Sequence, residues 1–167
     1  MTALGDALDK YDASIMRPLN IKPLLMKKLN ELSGGELQRV AIALCLSKKS
    51  DLYLLDEPSA YLDVEQRIRV SKVIADNMEH KGTSALIVDH DLLFIDFLSK
   101  KLMVFEGVPA IKGIVKGPFD MQEGMNRFLT SLDITMRRDE ESLRPRINKL
   151  GSQKDREQRS ANKLYYV

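Results

Sequence analysis

Two short stretches of the chain carry residues whose types and spacing suit phosphate chemistry. The first, LSGGELQR, places Ser33, Gly34, Gly35 and Glu36 at the start of an apolar helix. Serine followed three residues later by glutamate is a capping box, which satisfies backbone N–H groups where a helix begins. The glycines cost the helix roughly 1 kcal/mol each relative to alanine, yet they leave the first-turn N–H groups open to an anion. The stretch therefore predicts a phosphate contact at this helix N-terminus, with plain capping as the alternative.

The second stretch, LYLLDEP, ends a short apolar run with two carboxylates. The continuous run predicts a strand of a parallel sheet that is buried on both faces. Carboxylates at the carboxyl end of such a strand lie where α/β proteins bind ligands. Asp56 can hold Mg²⁺, directly or through water, and Glu57 can then polarise a water molecule for attack on a phosphoryl group. An isolated Asp-Glu pair is also compatible with two ordinary strand-end acids.

A second buried strand, TSALIVDH, ends at His90. If it lies beside the first strand in a parallel sheet, His90 reaches the same edge as Glu57. A histidine there can contact a γ-phosphate or the attacking water. The alternative is a strand-end histidine that only hydrogen-bonds to a neighbour.

The hydrophobic pattern predicts the elements that must position these residues. Short helices broken at Pro18 and Pro23 are expected before residue 30. Longer helices are predicted over residues 33–48, 63–80, 91–99 and 120–132, and a β-hairpin is predicted around Gly107. In the first long helix the predicted buried side consists of Leu37, Val40, Ala41 and Leu44. Strands alternating with helices indicate an α/β architecture, in which a parallel sheet is flanked by helices.

Composition and charge narrow the class of protein. The longest apolar run, residues 40–46, is far too short to cross a membrane, so no membrane partner is expected. The lone Cys45 excludes an internal disulfide and favours a cytoplasmic location. The segment from Arg137 to Lys163 contains nine basic residues, five acidic residues and few apolar residues. This basic tail is expected to extend from the globule rather than add to its core.

The order of the motifs resembles the ATP-binding cassette (ABC) superfamily. LSGGE is similar to the signature motif, LYLLDE to Walker B, SAYLD to the D-loop, and His90 to the switch histidine. The stretches LDEPSAYLDVEQR, FEGVPAIKG, EGMNRFL and RPRINKLGS resemble more narrowly the RNase L inhibitor family, the ribosome-splitting twin ATPases. The resemblance is to the second cassette and the hinge that follows it.

The resemblance implies roles for individual residues. Ser33, Gly34 and Gly35 match residues that contact the γ-phosphate of ATP held by the opposite cassette, and Glu36 matches a position near the ribose. Asp56 matches the Mg²⁺ carboxylate, Glu57 the catalytic base, Asp63 the D-loop aspartate and His90 the switch histidine. Arg144, Pro145, Arg146 and Asn148 match the hinge. The implied cofactors are ATP and Mg²⁺, and the implied partners are the rest of the polypeptide, ribosomal subunits and release or recycling factors.

The chain also departs from the family pattern. None of its nine glycines opens a G-K-[ST] sequence, so it has no Walker A loop, and it has no Q-loop. One cysteine cannot hold an iron–sulfur cluster, so none is expected in this chain. We therefore expect a partial P-loop NTPase domain that is inactive alone, since nothing cradles the α- and β-phosphates. The part of the sheet that Walker A would cover should be exposed, and self-association is one way to cover it.

The predicted organisation has three segments. Residues 1–31 form a helical lead-in, 32–135 the C-terminal portion of an ABC ATPase domain, and 136–167 a basic hinge segment.

Three other readings stay open at this point. The first is the C-terminal half of a Rad50- or SMC-like ATPase, which also carries signature and Walker B without Walker A. Such proteins need a coiled coil before the signature, but the residues preceding Leu32 contain two prolines and no heptad repeat. A transporter nucleotide-binding domain leaves the RPRINKLGS tail unexplained. The third reading is a non-catalytic module that docks through the basic tail. Whether the reading frame continues upstream of Met1 into a Walker A loop separates these possibilities.

Overall fold

A computed structural model describes three stretches of the chain, residues 11–108, 110–139 and 145–165. The chain divides into an N-terminal unit, Met1–Leu98, and a C-terminal unit, Ser99–Val167. All residues expected to perform nucleotide chemistry lie in the N-terminal unit, and the expected hinge residues lie in the C-terminal unit.

The N-terminal unit has the helices and strands that the hydrophobic pattern predicts. Its long elements are α1 (Gly34–Ser47), β1 (Leu52–Asp56), α2 (Val64–Lys81), β2 (Ser84–Val88) and α3 (Leu92–Leu98). Three short helical turns, Asp12–Met16, Lys22–Leu24 and Leu29–Glu31, precede them. Pro23 lies within the second of these turns rather than ending it. Proline is tolerated in a first helical turn because the N–H that it lacks would have no partner within the helix there.

The two strands of this unit pair in parallel. Leu52 lies opposite Ser84 and Asp56 opposite Val88, so both strands end at one edge of the sheet. Helix α2 makes the connection between them, as a parallel pair requires. The order of elements is that of a mixed α/β domain.

Only one face of the β1–β2 sheet is buried, so the prediction of strands buried on both faces is wrong for this chain. Tyr53 and Leu55 point into the core, whereas Leu54 is 67% exposed and Val88 57% exposed. Residues from α1, α2 and α3 join the core on the buried side. Within the described residues no element covers the other side, and the alternation of the pleat leaves its side chains in solvent.

The buried side of α1 also differs from the predicted one. Ile42, Ala43 and Leu46 are buried, whereas Leu37 and Leu44 are exposed. The second half of the helix, VAIALCL, is apolar on every side, so its periodicity does not select the face that packs.

The C-terminal unit begins with the predicted hairpin. Its elements are β3 (Lys101–Val108), β4 (Lys112–Asp120), α4 (Met121–Leu132), β5 (Met136–Arg138), β6 (Pro145–Ile147) and α5 (Gln153–Ser160). Strands β3 and β4 are antiparallel, with a register shift between Leu102 and Val104. Gly107 has φ 148°, and a Cβ there would lie 1.9 Å from the carbonyl oxygen of Lys112, so the hairpin end requires glycine at this position.

The basic tail is folded, which corrects the expectation that it extends from the globule. Asp155 is only 2% exposed, and its carboxylate accepts hydrogen bonds from the Thr135 hydroxyl at 2.7 Å and the Gly151 N–H at 2.8 Å. The Thr135 hydroxyl, followed by the Gly151 N–H and the Arg159 guanidinium, holds the pKa of Asp155 below its usual value. Asn148 completes the cluster by donating from Nδ2 to Thr135 Oγ1 at 2.8 Å.

The end of the tail packs onto the rest of its unit. The backbone N–H of Tyr165 donates to Asn126 Oδ1 on α4 at 2.9 Å, and that of Met136 donates to the Leu164 carbonyl at 2.7 Å. Met136 and Leu164 are buried. A segment with few apolar residues folds here because buried polar side chains satisfy one another. The solvated extension that the composition predicts is therefore not found in the described part of the tail.

Of the helices within the described residues, none combines the length and the apolar character needed to cross a bilayer.

Replacing Asn148 with alanine should destabilise the C-terminal unit. The change removes the hydrogen bonds that Asn148 Nδ2 donates to the buried Thr135 Oγ1 and to Gln158 Oε1, and losing such bonds costs about 1–3 kcal/mol. Urea unfolding of the chain, with hydrogen exchange of residues 136–165 as the readout, measures this loss of unfolding free energy.

Arg146→Ala is the matched control. Arg146 forms an ion pair with Asp139 at 3.1 Å but is largely exposed, so its removal should change the free energy of unfolding by about 0.5 kcal/mol or less. Equal losses in the two variants would contradict the role of Asn148 as a buried partner.

Candidate functional site

The parallel sheet brings Glu57 and His90 together, as the sequence predicts. The Glu57 N–H donates to the Val88 carbonyl at 2.8 Å, which extends the β1–β2 pairing past Asp56. His90 Nδ1 lies 3.8 Å from Glu57 Oε1, and the two side chains are 74% and 58% exposed. A carboxylate and an imidazole are thus adjacent and open to a ligand or water molecule.

Residues 57–63, which we call the D-loop segment, leave this sheet edge in a constrained conformation. Glu57 has φ 45° and Tyr61 φ 60°, a region that costs a non-glycine residue roughly 1–2 kcal/mol. Asp89 holds the segment, because its Oδ2 accepts the Ser59 N–H at 3.0 Å and its Oδ1 the Ser59 hydroxyl at 2.8 Å. Ser59 is buried. The sequence analysis did not identify Asp89 as a site residue, although its position immediately before His90 could have indicated one.

Asp63 ends the D-loop segment as the N-cap of α2. Its Oδ1 accepts the backbone N–H of Gln66 at 2.8 Å, which is the ordinary use of aspartate at a helix start. A second acid, Asp91, accepts the Phe94 N–H at 2.7 Å and pairs with Arg67 of α2. The sequence analysis missed this pair, which links the end of β2 to the helix following Walker B.

The signature helix begins with the predicted capping box. Glu36 N–H donates to Ser33 Oγ at 3.3 Å, and Ser33 N–H donates to Glu36 Oε2 at 2.8 Å. Lys27, which sequence reasoning did not identify, donates to Glu36 Oε1 at 2.8 Å. Lys27, followed by Ser33, lowers the pKa of Glu36 to about 2. Glu36 is therefore ionised at neutral pH, and Lys27 balances its charge at the end of the helix where an anion would approach.

The two signature glycines lie against the D-loop segment. A Cβ on Gly35 would lie 2.9 Å from the Tyr61 carbonyl oxygen, and one on Gly34 would lie 3.2 Å from the Tyr61 ring. Contacts within the chain therefore favour residues without side chains at both positions. This is a second reason for the glycines besides the predicted access of an anion.

The signature helix also contacts the Walker B acid directly. Gln38 Nε2 donates to the Glu57 carbonyl at 3.2 Å. Together with the Tyr61 contacts, this bond joins the start of α1, the D-loop segment and the end of β1 into one contiguous group.

The predicted hinge residues belong to the C-terminal unit. Pro145 begins β6, Arg146 pairs with Asp139, and Asn148 is part of the buried cluster around Thr135. Arg144 lies outside the described residues. The described hinge residues thus have contacts within their own unit.

The donor atoms near Asp56 fit Mg²⁺ that arrives with a nucleotide. Among the residues that the structure describes, no three His, Cys, Asp or Glu side chains cluster to hold a metal ion. Asp56 is exposed at the end of β1. Mg²⁺ commonly takes one or two protein carboxylates and completes its coordination with phosphate oxygens and water. One exposed carboxylate is sufficient for such an ion, but not for a metal centre built from protein ligands alone.

Comparison with known proteins places this geometry in a family. A family model described as ABC transporter matches residues 6–60. An uncharacterized ABC transporter ATP-binding protein of Methanocaldococcus jannaschii is 52% identical over 157 residues, which are 94% of this chain and 26% of that protein. ABC transporter E family member 1 of Arabidopsis thaliana is 49% identical over 158 residues, 95% of this chain and 26% of that protein. Translation initiation factor RLI1 of Saccharomyces cerevisiae is 46% identical over 158 residues, which are again 95% of this chain and 26% of that protein. The chain thus spans about a quarter of the length of the curated relatives that it matches.

Solved structures agree with these relatives. The archaeal ribosome recycling factor aABCE1, in complex with the ribosomal stalk protein aP1, matches 94% of this chain and 30% of its own at 55% identity, with a TM-score of 0.85. A structure named RNase-L Inhibitor matches equally well. A third structure is a model of ribosome-bound archaeal Pelota and ABCE1. Its matching chain is 54% identical, with a TM-score of 0.89, and the match covers 94% of this chain and 26% of the matching chain.

These relatives match nearly the whole chain at about half identity, which favours their family over the Rad50- or SMC-like reading and the transporter reading. The chain belongs to the RNase L inhibitor, or ABCE, family of ATP-binding cassette proteins.

Proposed function

We propose that this chain is the C-terminal part of a twin ATPase that couples ATP binding and hydrolysis to the splitting of ribosomal subunits in translation. One observation carries the proposal: Glu57 and His90 lie side by side at the sheet edge, at the start of a loop that lies against the signature glycines. The names of the relatives support a role in translation, since they include a ribosome recycling factor and translation initiation factors. On this proposal the protein acts in the cytoplasm, and its partners are ribosomal subunits and release or recycling factors.

Two different nucleotides would be served by this half. Glu57 and His90 would act on ATP cradled by a Walker A loop of their own cassette, with Asp56 as the Mg²⁺ carboxylate. Ser33, Gly34 and Gly35 would close over ATP held by the opposite cassette, with Glu36 toward its ribose. When bound, ATP and Mg²⁺ supply the phosphoryl group and the charge that neutralises it.

The residues of this chain supply the proton chemistry. Glu57 is suited to take the proton of an attacking water molecule, because its carboxylate is exposed and its backbone is fixed to Val88 and Gln38. His90 lies close enough to orient the same water. Asp63 would act through its position at the end of the D-loop segment.

Arg144 and Arg146 are proposed to bridge the two cassettes at the hinge, with Pro145 and Asn148 shaping the segment. Arginine suits this role because its planar group binds carboxylates through two hydrogen bonds. Changing both arginines to alanine in the complete protein should slow ribosome splitting. An unchanged splitting rate would remove the hinge assignment.

Hydrolysis should require Glu57 and the missing part of the cassette. The 167-residue chain should hydrolyse ATP negligibly, because no Walker A loop holds the phosphates. In the complete protein, Glu57→Gln keeps the shape of the side chain but removes the base. Hydrolysis should fall roughly 10²–10⁴-fold, as expected for loss of a general base, while ATP stays bound. Single-turnover hydrolysis and filter binding measure the two quantities. Hydrolysis by the chain alone that Glu57→Gln abolishes would contradict the proposal.

Two substitutions of Gly34 should separate crowding from charge. Gly34→Ala places a Cβ 3.2 Å from the Tyr61 ring, a crowding that the largely exposed ring can relieve. Gly34→Asp adds a negative charge where a γ-phosphate must approach. Gly34→Asp should therefore prevent closure of the cassettes in the complete protein while ATP still binds to Walker A, and Gly34→Ala should weaken closure far less. Distances between labelled cassettes with ATP present report closure. Equal closure by the two variants would show that charge at the signature is unimportant.

A further inference from the structure

Asp89 is the residue through which the end of β2 contacts the D-loop segment. Its carboxylate accepts three hydrogen bonds, from the Ser59 N–H at 3.0 Å, the Ser59 hydroxyl at 2.8 Å and the Asp91 N–H at 2.9 Å. Oδ2 receives the first, and Oδ1 receives the other two. Two of the three donors are backbone N–H groups, one facing each oxygen, so the site requires a group that accepts at both positions, as a carboxylate does.

The segment that Asp89 holds needs an external support. Glu57 and Tyr61, on either side of Ser59, both have positive φ, and residues in that region persist where surrounding contacts fix them. The segment has two bonds of its own, from Ala60 N–H to the Glu57 carbonyl at 3.0 Å and from Leu62 N–H to the Ser59 carbonyl at 3.3 Å. Asp89 ties the middle of this turn to β2.

Three groups of the proposed site depend on that support. The Glu57 carboxylate lies at the start of the segment. Tyr61, two residues beyond Ser59, lies so close to the signature glycines that a Cβ on Gly34 would meet its ring and one on Gly35 its carbonyl oxygen. His90 directly follows Asp89 and lies 3.8 Å from Glu57. A displacement of Ser59 away from Asp89 would therefore change the position of the base relative to His90 and of Tyr61 relative to Gly34.

We infer that Asp89 is a positioning residue: its hydrogen bonds to Ser59 fix the D-loop segment so that Glu57 and the signature glycines are correctly placed for hydrolysis. This inference rests on the proposed function. Asp89 acts through Ser59 and touches no reacting atom.

Asp89→Asn in the complete protein tests the inference with the smallest change of shape. An amide nitrogen in place of Oδ2 faces the Ser59 N–H, and in place of Oδ1 it faces the Asp91 N–H. No orientation of the amide keeps all three bonds. We expect kcat for ATP hydrolysis to fall about 10- to 100-fold, the size of effect that a small misplacement of catalytic groups produces, while the Kd for ATP stays unchanged.

Hydrogen exchange provides a readout that is independent of activity. The Ser59 amide should exchange about tenfold faster in Asp89→Asn, the effect of losing roughly 1.4 kcal/mol of local protection. Amides in the cores of α1 and α2 should exchange as in the parent. Asp76→Asn, at an exposed position of α2, is the matched control and should change neither quantity.

Ser59→Ala supplies the second arm. It removes the hydroxyl bond but keeps the N–H bond, so kcat should fall less than in Asp89→Asn. The loss in the double variant should be smaller than the sum of the two single losses, because both changes act on the same contact. Additive losses, or a uniform rise in exchange across the whole unit, would overturn the positioning role, as would parental kcat in Asp89→Asn.

Failure of the inference and failure of the proposed function give different results. If Glu57→Gln abolishes hydrolysis and Asp89→Asn does not impair it, only the role of Asp89 is wrong. If Glu57→Gln hydrolyses ATP like the parent, the proposed function itself is wrong.

Discussion

The parallel pairing of β1 with β2 is the constraint on which the N-terminal unit depends. Because Asp56 lies opposite Val88 and the Glu57 N–H continues the pairing, the acids after one strand and the histidine after the other meet at one edge. A shift of the register by one residue would turn every side chain to the opposite face. It would bury Leu54 in place of Leu55 and separate Glu57 from His90. The register thus fixes the core and the candidate site together.

The same edge organises the signature helix. The D-loop segment runs from Glu57 past Tyr61 to the N-cap of α2, and along its course it contacts Asp89, Gly34 and Gly35. Gln38 returns from α1 to the Glu57 carbonyl. Motifs that the sequence separates by some twenty residues are therefore held in contact by short polar bonds and by the absence of two side chains.

Most of the N-terminal unit could be predicted from the sequence because its signals are local. The apolar run before Asp56, the run before His90 and the capping box at Ser33 each specify an element without reference to the rest of the fold. The face of α1 that packs could not be predicted, since residues 40–46 are apolar on all sides. Asp89 and Lys27 escaped notice because their importance depends on partners distant in the sequence, Ser59 and Glu36.

For the basic tail, the prediction from the sequence was wrong. Its composition suggested an extended arm, but composition does not record that Asp155, Thr135 and Asn148 satisfy one another inside the unit. Nine basic residues in the segment can coexist with a folded interior because long cationic side chains keep their charged ends in solvent. The core of this unit is small and partly polar, a class of core that hydrophobic periodicity does not detect.

The exposed face of the β1–β2 sheet affects how the chain should behave in solution. Leu52, Leu54, Leu86 and Val88 form an apolar surface beside strands whose outer edges, within the described residues, have no paired neighbour. Such edges accept further strands, including those of another copy. Burial of this surface by association would stabilise the folded form, and the stabilisation would grow with the logarithm of the protein concentration. The unfolding midpoint of the chain would then be a property of the solution as well as of the sequence, rising as the protein is concentrated.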